Sequence, residues 1–153
     1  MEKSAAELAR EFEQRFTLPQ VDIRSYSPLT LAYMGDGIYE LLIRTMLVKR
    51  GNLSVNKLHR QASSLVKASA QAAMAEALKE ELTEEELAVY KRGRNAHSPT
   101  MAKHATMWEY RRATGFEALM GYLYLKQEWE RMFYLVEQGL IKGELLCETN
   151  HKS

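Results

Sequence analysis

Two acidic residues, Asp36 and Glu40, lie four positions apart in "LAYMGDGIYELLIR", residues 31–44. On a helix that spacing brings both carboxylates within reach of one point in space. Carboxylates held together repel unless a cation or a proton sits between them. The pattern therefore admits a cation or a shared proton at that point. It equally admits a solvated face on which Glu40 pairs with Arg44, its own neighbour one turn on. Gly35 and Gly37 flank the aspartate, although a glycine inside a helix is unfavourable by about 1 kcal/mol relative to alanine. Glycines tolerated there leave room for another backbone or for a ligand.

Another carboxylate, Glu117, opens the otherwise apolar "FEALMGYLYL", with Gly121 four residues on and on the same face. At a helix start it could also serve only the positive end of the helix dipole. Segment 91–112 carries Lys91, Arg92, Arg94, Lys103, Arg111 and Arg112 against Glu109 alone, in a chain whose formal net charge is +1. A nucleic-acid footprint, if present, is therefore local. Arginine beside asparagine and serine suits phosphate and sugar contact, which makes Lys91, Arg92, Arg94 and Asn95 candidates; a generic basic surface is the alternative. The glutamate-rich residues 76–86 read as a solvated acidic surface. His97 and His104 do not have the spacing of a zinc pair.

These residues need a scaffold. At 153 residues, 46% hydrophobic and 27% charged, the chain has the size and balance of one domain with a real core. The single Cys147 excludes an internal disulfide framework and a Cys-rich zinc site. With no leader pattern and no run of eighteen apolar residues, neither secretion nor a membrane span is expected, and the cytoplasm is the default.

Leu8, Phe12 and Phe16 predict an amphipathic helix over 4–16 capped by Ser4. Ser27 followed by Pro28 starts a helix that runs to about Arg50, where Gly51 stops it. On it, Leu31, Met34, Ile38, Leu41, Leu42 and Thr45 are the expected core stripe, with Tyr33, Asp36, Glu40 and Arg44 on a second face. Ser54 opens a helical stretch over about 55–81 with a break expected near Lys67–Ser69. Thr83 and Glu86 form a capping box before the short helix "EEELAVYKRG", followed by a polar loop, "RGRNAHSPT". A helix is expected over about 100–113, with Gly115 separating it from "FEALMGYLYLKQEWERMFYLVEQGL". Trp108, Trp129 and the tyrosines at 122, 124 and 134 are expected in packing, and residues from about 143 as a frayed polar end. No segment alternates like a strand. The fold class is all-α, one helical bundle.

Together, "LTLAYMGDG" and "TGFEALMGYLYL" resemble the catalytic domain of the ribonuclease III family. Its signature is close to E-x-L-E-F-L-G-D-S, followed by D-x-x-E-A at the start of a later helix. With "YKRGRNAHS", and no double-stranded-RNA-binding domain after it, the chain is similar to the Mini-ribonuclease III branch over about residues 25–142. Leu29 and Ala32 stand where the signature has its two glutamates, and Thr114 where the second motif has its aspartate. The resemblance implies the ribonuclease III-like bundle and Mg²⁺-dependent hydrolysis of double-stranded RNA, with the 23S ribosomal RNA precursor as substrate. It implies Asp36 and Glu117 as catalytic and metal-holding, and leaves the number of ions per site open. Glu40 could orient metal-bound water or pair with Arg44. A homodimer is implied, and a ribosomal protein or pre-ribosomal particle is a candidate partner. Two competing readings are a non-catalytic RNA- or ribosome-binding module of the same fold and a protein-only interaction bundle without RNA affinity.

Overall fold

Hydroxyl side chains begin five of the seven described α-helices. Ser4, Ser27, Ser54, Thr83 and Thr106 each accept the backbone N–H three residues on, satisfying a donor that has no partner inside the helix. The computed structural model describes residues 2–96 and 106–146. Their helices are α1 (Ala5–Arg15), α2 (Pro28–Arg50), α3 (Val55–Val66), α4 (Ala68–Leu78), α5 (Glu84–Asn95), α6 (Met107–Leu125) and α7 (Trp129–Lys142). Among the described residues there is no strand, so the all-α expectation holds.

The bundle is organised around α2 and α6, which pack along one another. α4 and α5 flank α6, α3 lies on α2, and α7 closes over α4. Tyr39, Ile43, Met74, Phe116, Leu119 and Leu135 are sealed in the middle. The Tyr39 ring meets Phe116 edge-on at 5.2 Å, and its hydroxyl donates to the Leu65 carbonyl at 2.7 Å, so the buried phenol keeps a partner. α1 buries none of its residues and leaves Leu8, Phe12 and Phe16 exposed.

Several boundaries follow the sequence closely. Extended Lys67 separates α3 from α4, and extended Gly51 ends α2. Others are corrected. On α2 the buried positions are Leu31, Ala32, Gly35, Ile38, Tyr39, Ile43 and Leu47, while Leu41 and Thr45 face solvent. The stripe is rotated because the close approach of α6 selects small residues, which hydrophobicity does not mark. Gly115 does not break a helix: α6 continues through it, and a Cβ there would sit 2.7 Å from the Tyr90 carbonyl oxygen. α5 likewise runs past Gly93 to Asn95, so "KRGRN" is helical rather than loop. The break falls instead at Lys126–Glu128, with Gln127 at φ 59°.

The glutamates at 76–86 are not a free acidic surface. Glu86 is buried, closes the α5 capping box and receives Arg131 at 2.8 Å. Burial alone would push its carboxyl up, but Arg131 and the Thr83 backbone outweigh that and hold it below the usual range. Glu76 pairs with Arg112 at 2.9 Å, Glu81 with Lys142, and Glu85 bonds Tyr122. Tyr122 is buried and Trp129 packs edge-on to Tyr124, whereas Trp108 and Tyr134 remain partly exposed. Leu145 and Leu146 rest on the core; the rest of the expected frayed end, and His97 and His104, lie outside the described residues.

Candidate active site

Asp36 and Glu117, 81 positions apart in the chain, line one open cleft of about 370 Å³ together with Leu29, Ala32, Tyr33, Tyr110 and Thr114. Helix packing alone brings them there. A Cβ on Gly35 would overlap the Glu117 carbonyl oxygen and sit 2.8 Å from the Gly121 nitrogen; a Cβ on Gly121 would overlap the Leu31 carbonyl oxygen and sit 2.9 Å from the Gly35 nitrogen. α2 and α6 thus cross backbone to backbone, glycine against glycine, and the two carboxylates flank the crossing. Gly35 leaves room for another helix rather than for a ligand, and so does Gly121. Gly37 has open space around it, with nothing within 4 Å of where its Cβ would stand.

The cleft is acidic. Asp36 is exposed at its mouth, while Glu117 is half-buried. Burial first, then the charge and hydrogen bonding of Asp36, push the Glu117 carboxyl up to about 8, and the Gln71 amide works the other way. Among the described residues no lysine or arginine lines the cleft, so the two carboxylates share it there without a basic side chain. A divalent cation suits this donor set. Mg²⁺ keeps several waters and takes one or two protein carboxylates plus substrate phosphate. Leu29, Ala32 and Thr114 offer no carboxylate, and the Thr114 hydroxyl donates to the Tyr110 carbonyl at 2.9 Å. Among the described residues no group of three or more Asp, Glu, His or Cys side chains is placed to hold a metal ion. The acidic set is a pair.

Glu40 does not line the cleft; its carboxylate pairs with Arg44 at 3.0 Å, the second of the two roles open to it. Lys91, Arg92 and Asn95 are exposed on the last turn of α5, and Arg94 is half-buried, its guanidinium 5.8 Å from the Tyr90 ring centroid. That turn seats on α6 through Gly93, whose Cβ would lie 2.7 Å from the Ala118 Cβ and 3.2 Å from the Thr114 carbonyl oxygen. The basic turn is therefore next to the acidic cleft. Among the described residues no ion pair joins it to the glutamates at 84–86; Glu85 pairs with Lys126 and Glu86 with Arg131. The sequence did not single out Tyr110 or Gln71. The only signal for Gln71 is its being the one amide in the alanine-rich "ASAQAAMAEAL".

Comparison with known proteins gives a consistent result. Residues 29–128 match the ribonuclease III domain family. Mini-ribonuclease 3 of Enterococcus faecalis is 50% identical over 133 residues, covering 86% of this chain and 98% of that protein. Mini-ribonuclease 3 of Streptococcus pneumoniae is 43% identical over 126 residues, covering 81% and 98%. A crystal structure of a Fusobacterium nucleatum protein superposes with a TM-score of 0.73 at 33% identity, covering 82% of this chain and 99% of that one.

Proposed function

The chain belongs to the ribonuclease III family, and from that membership we propose that Asp36 and Glu117 are the residues with which it cuts RNA. Its activity is that of an endoribonuclease hydrolysing phosphodiester bonds within double-stranded RNA. The observation that carries the site assignment is the convergence of the two carboxylates in one cleft across the α2–α6 crossing.

Divalent-metal dependence is general in this family, and the proposed ion is Mg²⁺, held by Asp36 and Glu117. When bound, it supplies Lewis-acid stabilisation of the phosphate and a more acidic water. The protein's own contribution is placement. Asp36, at the mouth, meets the substrate side, and Glu117, deeper, anchors the inner side. Lys91, Arg92, Arg94 and Asn95 are proposed to grip the RNA backbone beside the cleft. A-form duplexes are recognised through shape, phosphates and 2′-hydroxyls, which a short basic helix end can contact without reading bases.

A homodimer is proposed as the working form, since two sites related by a two-fold axis can each cut one strand. Tyr33, 83% exposed beside Asp36, and Leu41, 58% exposed on the same helix, supply apolar surface for a second copy. The physiological substrate is proposed to be the 23S ribosomal RNA precursor, met in the cytoplasm with a ribosomal protein or pre-ribosomal particle as accessory. No described helix is long and apolar enough to cross a membrane.

Incubation of the purified protein with an RNA duplex, with Mg²⁺ or with a chelator, tests the assignment on a denaturing gel. Cleavage by wild type in Mg²⁺ alone, and none by Asp36→Asn or Glu117→Gln, is the expected pattern. Unimpaired cleavage by either variant would remove that residue from the site.

A further inference from the structure

Tyr110, Thr114 and Glu117 line the cleft from one side of α6, as residues spaced by four and then three along a helix must. Glu117 is assigned to the ion. The Thr114 hydroxyl is spent on the Tyr110 carbonyl, at 2.9 Å. The phenol of Tyr110 is left on this wall without a task. Elsewhere the fold puts phenols to use: Tyr39 donates to the Leu65 carbonyl at 2.7 Å, Tyr122 bonds Glu85 and Tyr134 bonds Glu81. Among the described residues Tyr110 bonds through its main chain alone, its N–H to the Thr106 carbonyl and its carbonyl to the Thr114 hydroxyl.

Packing alone does not explain that hydroxyl, because a phenylalanine would present the same ring to the bundle. On the α2 wall Leu29 and Ala32 carry no donor, and Tyr33 stands 83% exposed. Tyr110 is half-buried, so it is the phenol that the bundle holds in place. A lysine there would pair with the carboxylates themselves; a phenol donates a hydrogen bond without bringing charge to the ion's place. Seven residues of helix span about 10 Å, and helical side chains lean towards the N-terminus, here away from Glu117. The phenol therefore stands over the stretch of RNA backbone that flanks the bond to be cut. Tyrosine hydroxyls are among the donors that hold phosphate oxygens and fix the register of a duplex without reading its bases.

We propose that the Tyr110 hydroxyl donates a hydrogen bond to a phosphate oxygen flanking the scissile bond, and so sets where along the strand the cut falls. The inference rests on the site assignment above and extends it from the ion to the substrate. Glu117 and Tyr110 then divide one helix face between them, the carboxylate for the ion and the phenol for the backbone beside it.

The test is Tyr110→Phe, which removes the hydroxyl and keeps the ring. Duplex binding measured in chelator should weaken by about 10-fold, the scale of a lost hydrogen bond to a charged acceptor. In Mg²⁺, kcat/KM for cleavage should fall by a similar factor, and cuts at neighbouring bonds should appear beside the wild-type product. The melting temperature should stay at the wild-type value. Duplexes carrying a single methylphosphonate, moved one position at a time along the cut strand, identify the partner. At one flanking position the loss of affinity should be about 10-fold larger for wild type than for Tyr110→Phe, since both changes remove the same contact. Wild-type affinity and a wild-type cleavage pattern in Tyr110→Phe would overturn the proposal, as would equal methylphosphonate losses in both proteins at every position. A lowered melting temperature with unchanged affinity would also overturn it, making the hydroxyl part of the fold. Wild-type cleavage by Asp36→Asn and Glu117→Gln would instead overturn the site assignment, on which the metal-free binding comparison does not depend.

Discussion

Gly35 of α2 lies directly against the main chain of Glu117 on α6, so closely that a Cβ at position 35 would overlap the Glu117 carbonyl oxygen. The glycine before one proposed site carboxylate is thus the seat of the other. This predicts opposite outcomes for two neighbouring alanine substitutions. Gly35→Ala must push apart two backbones, which cannot rotate away as a side chain could, and should destabilise by about 1–3 kcal/mol or more. Gly37→Ala meets open space and should stabilise by about 0.5–1 kcal/mol through helix propensity. Urea unfolding of the two variants separates these cases. Cleavage should fall for the first, as the carboxylates part, and persist for the second.

The Glu117 carboxyl predicts how stability depends on pH. With its value raised from 4.5 to about 8, the folded metal-free protein retains a proton there that the unfolded chain has lost across that interval. Stability should therefore fall as pH rises through it, by on the order of a few kcal/mol in total. In Glu117→Gln that fall should be absent, and the variant should melt higher than wild type above pH 8. Added Mg²⁺ should restore wild-type stability at high pH, because an ion bound only by the folded state shifts the equilibrium towards it. Melting curves across pH, with chelator and with Mg²⁺, check all three; parallel profiles for wild type and variant would rule out the burial of charge described here.

Asp36→Asn should abolish cleavage while keeping the melting temperature at neutral pH, and should raise it above about pH 8, where Glu117 is charged in the metal-free protein and the substitution removes one of two repelling charges. Glu40→Gln should slow cleavage much less. Its exposed i,i+4 pair with Arg44 is of a kind worth about 0.3–0.5 kcal/mol, so stability should hardly change. Single-turnover rates of the two variants rank the residues, and equal losses would move Glu40 to the ion.

Replacing Arg92 and Arg94 together by glutamine should weaken binding to all duplexes alike. It should also flatten the slope of log affinity against log salt by about two units, as fewer counterions are released. Stability should change little, because no ion pair joins either arginine to the glutamates at 84–86 among the described residues. Binding titrations across salt concentrations would show an unchanged slope if this turn lies off the RNA surface.

Most helix starts were legible in the sequence because a cap is a local event: Ser27, Ser54 and Thr83 each serve a backbone N–H three residues away. The pairing of Asp36 with Glu117 was legible only through family resemblance, since spacing along the chain says nothing about which helices cross. Glycine misled in a consistent direction. Gly93 and Gly115 read as ends of helices but are points where two helices touch, and propensity cannot tell a stop from a close approach. Glu86 read as solvated because the Arg131 that buries it comes 45 residues later. Gln71 was silent because a glutamine in a helix is ordinary until its burial is known.

The glycine crossing also acts as a pivot. When two rods swing about the point where they touch, their far ends travel and the contact stays put, so displacement grows with the lever arm. Asp36 follows the contact residue Gly35 immediately, and Glu117 supplies the oxygen that Gly35 meets. Both sit where the arm is shortest. Fraying at the helix ends, or drift of side chains in the outer layers, leaves the spacing of the two carboxylates nearly unchanged. The outer bundle can therefore vary freely in composition while the chemistry at its hub keeps its geometry.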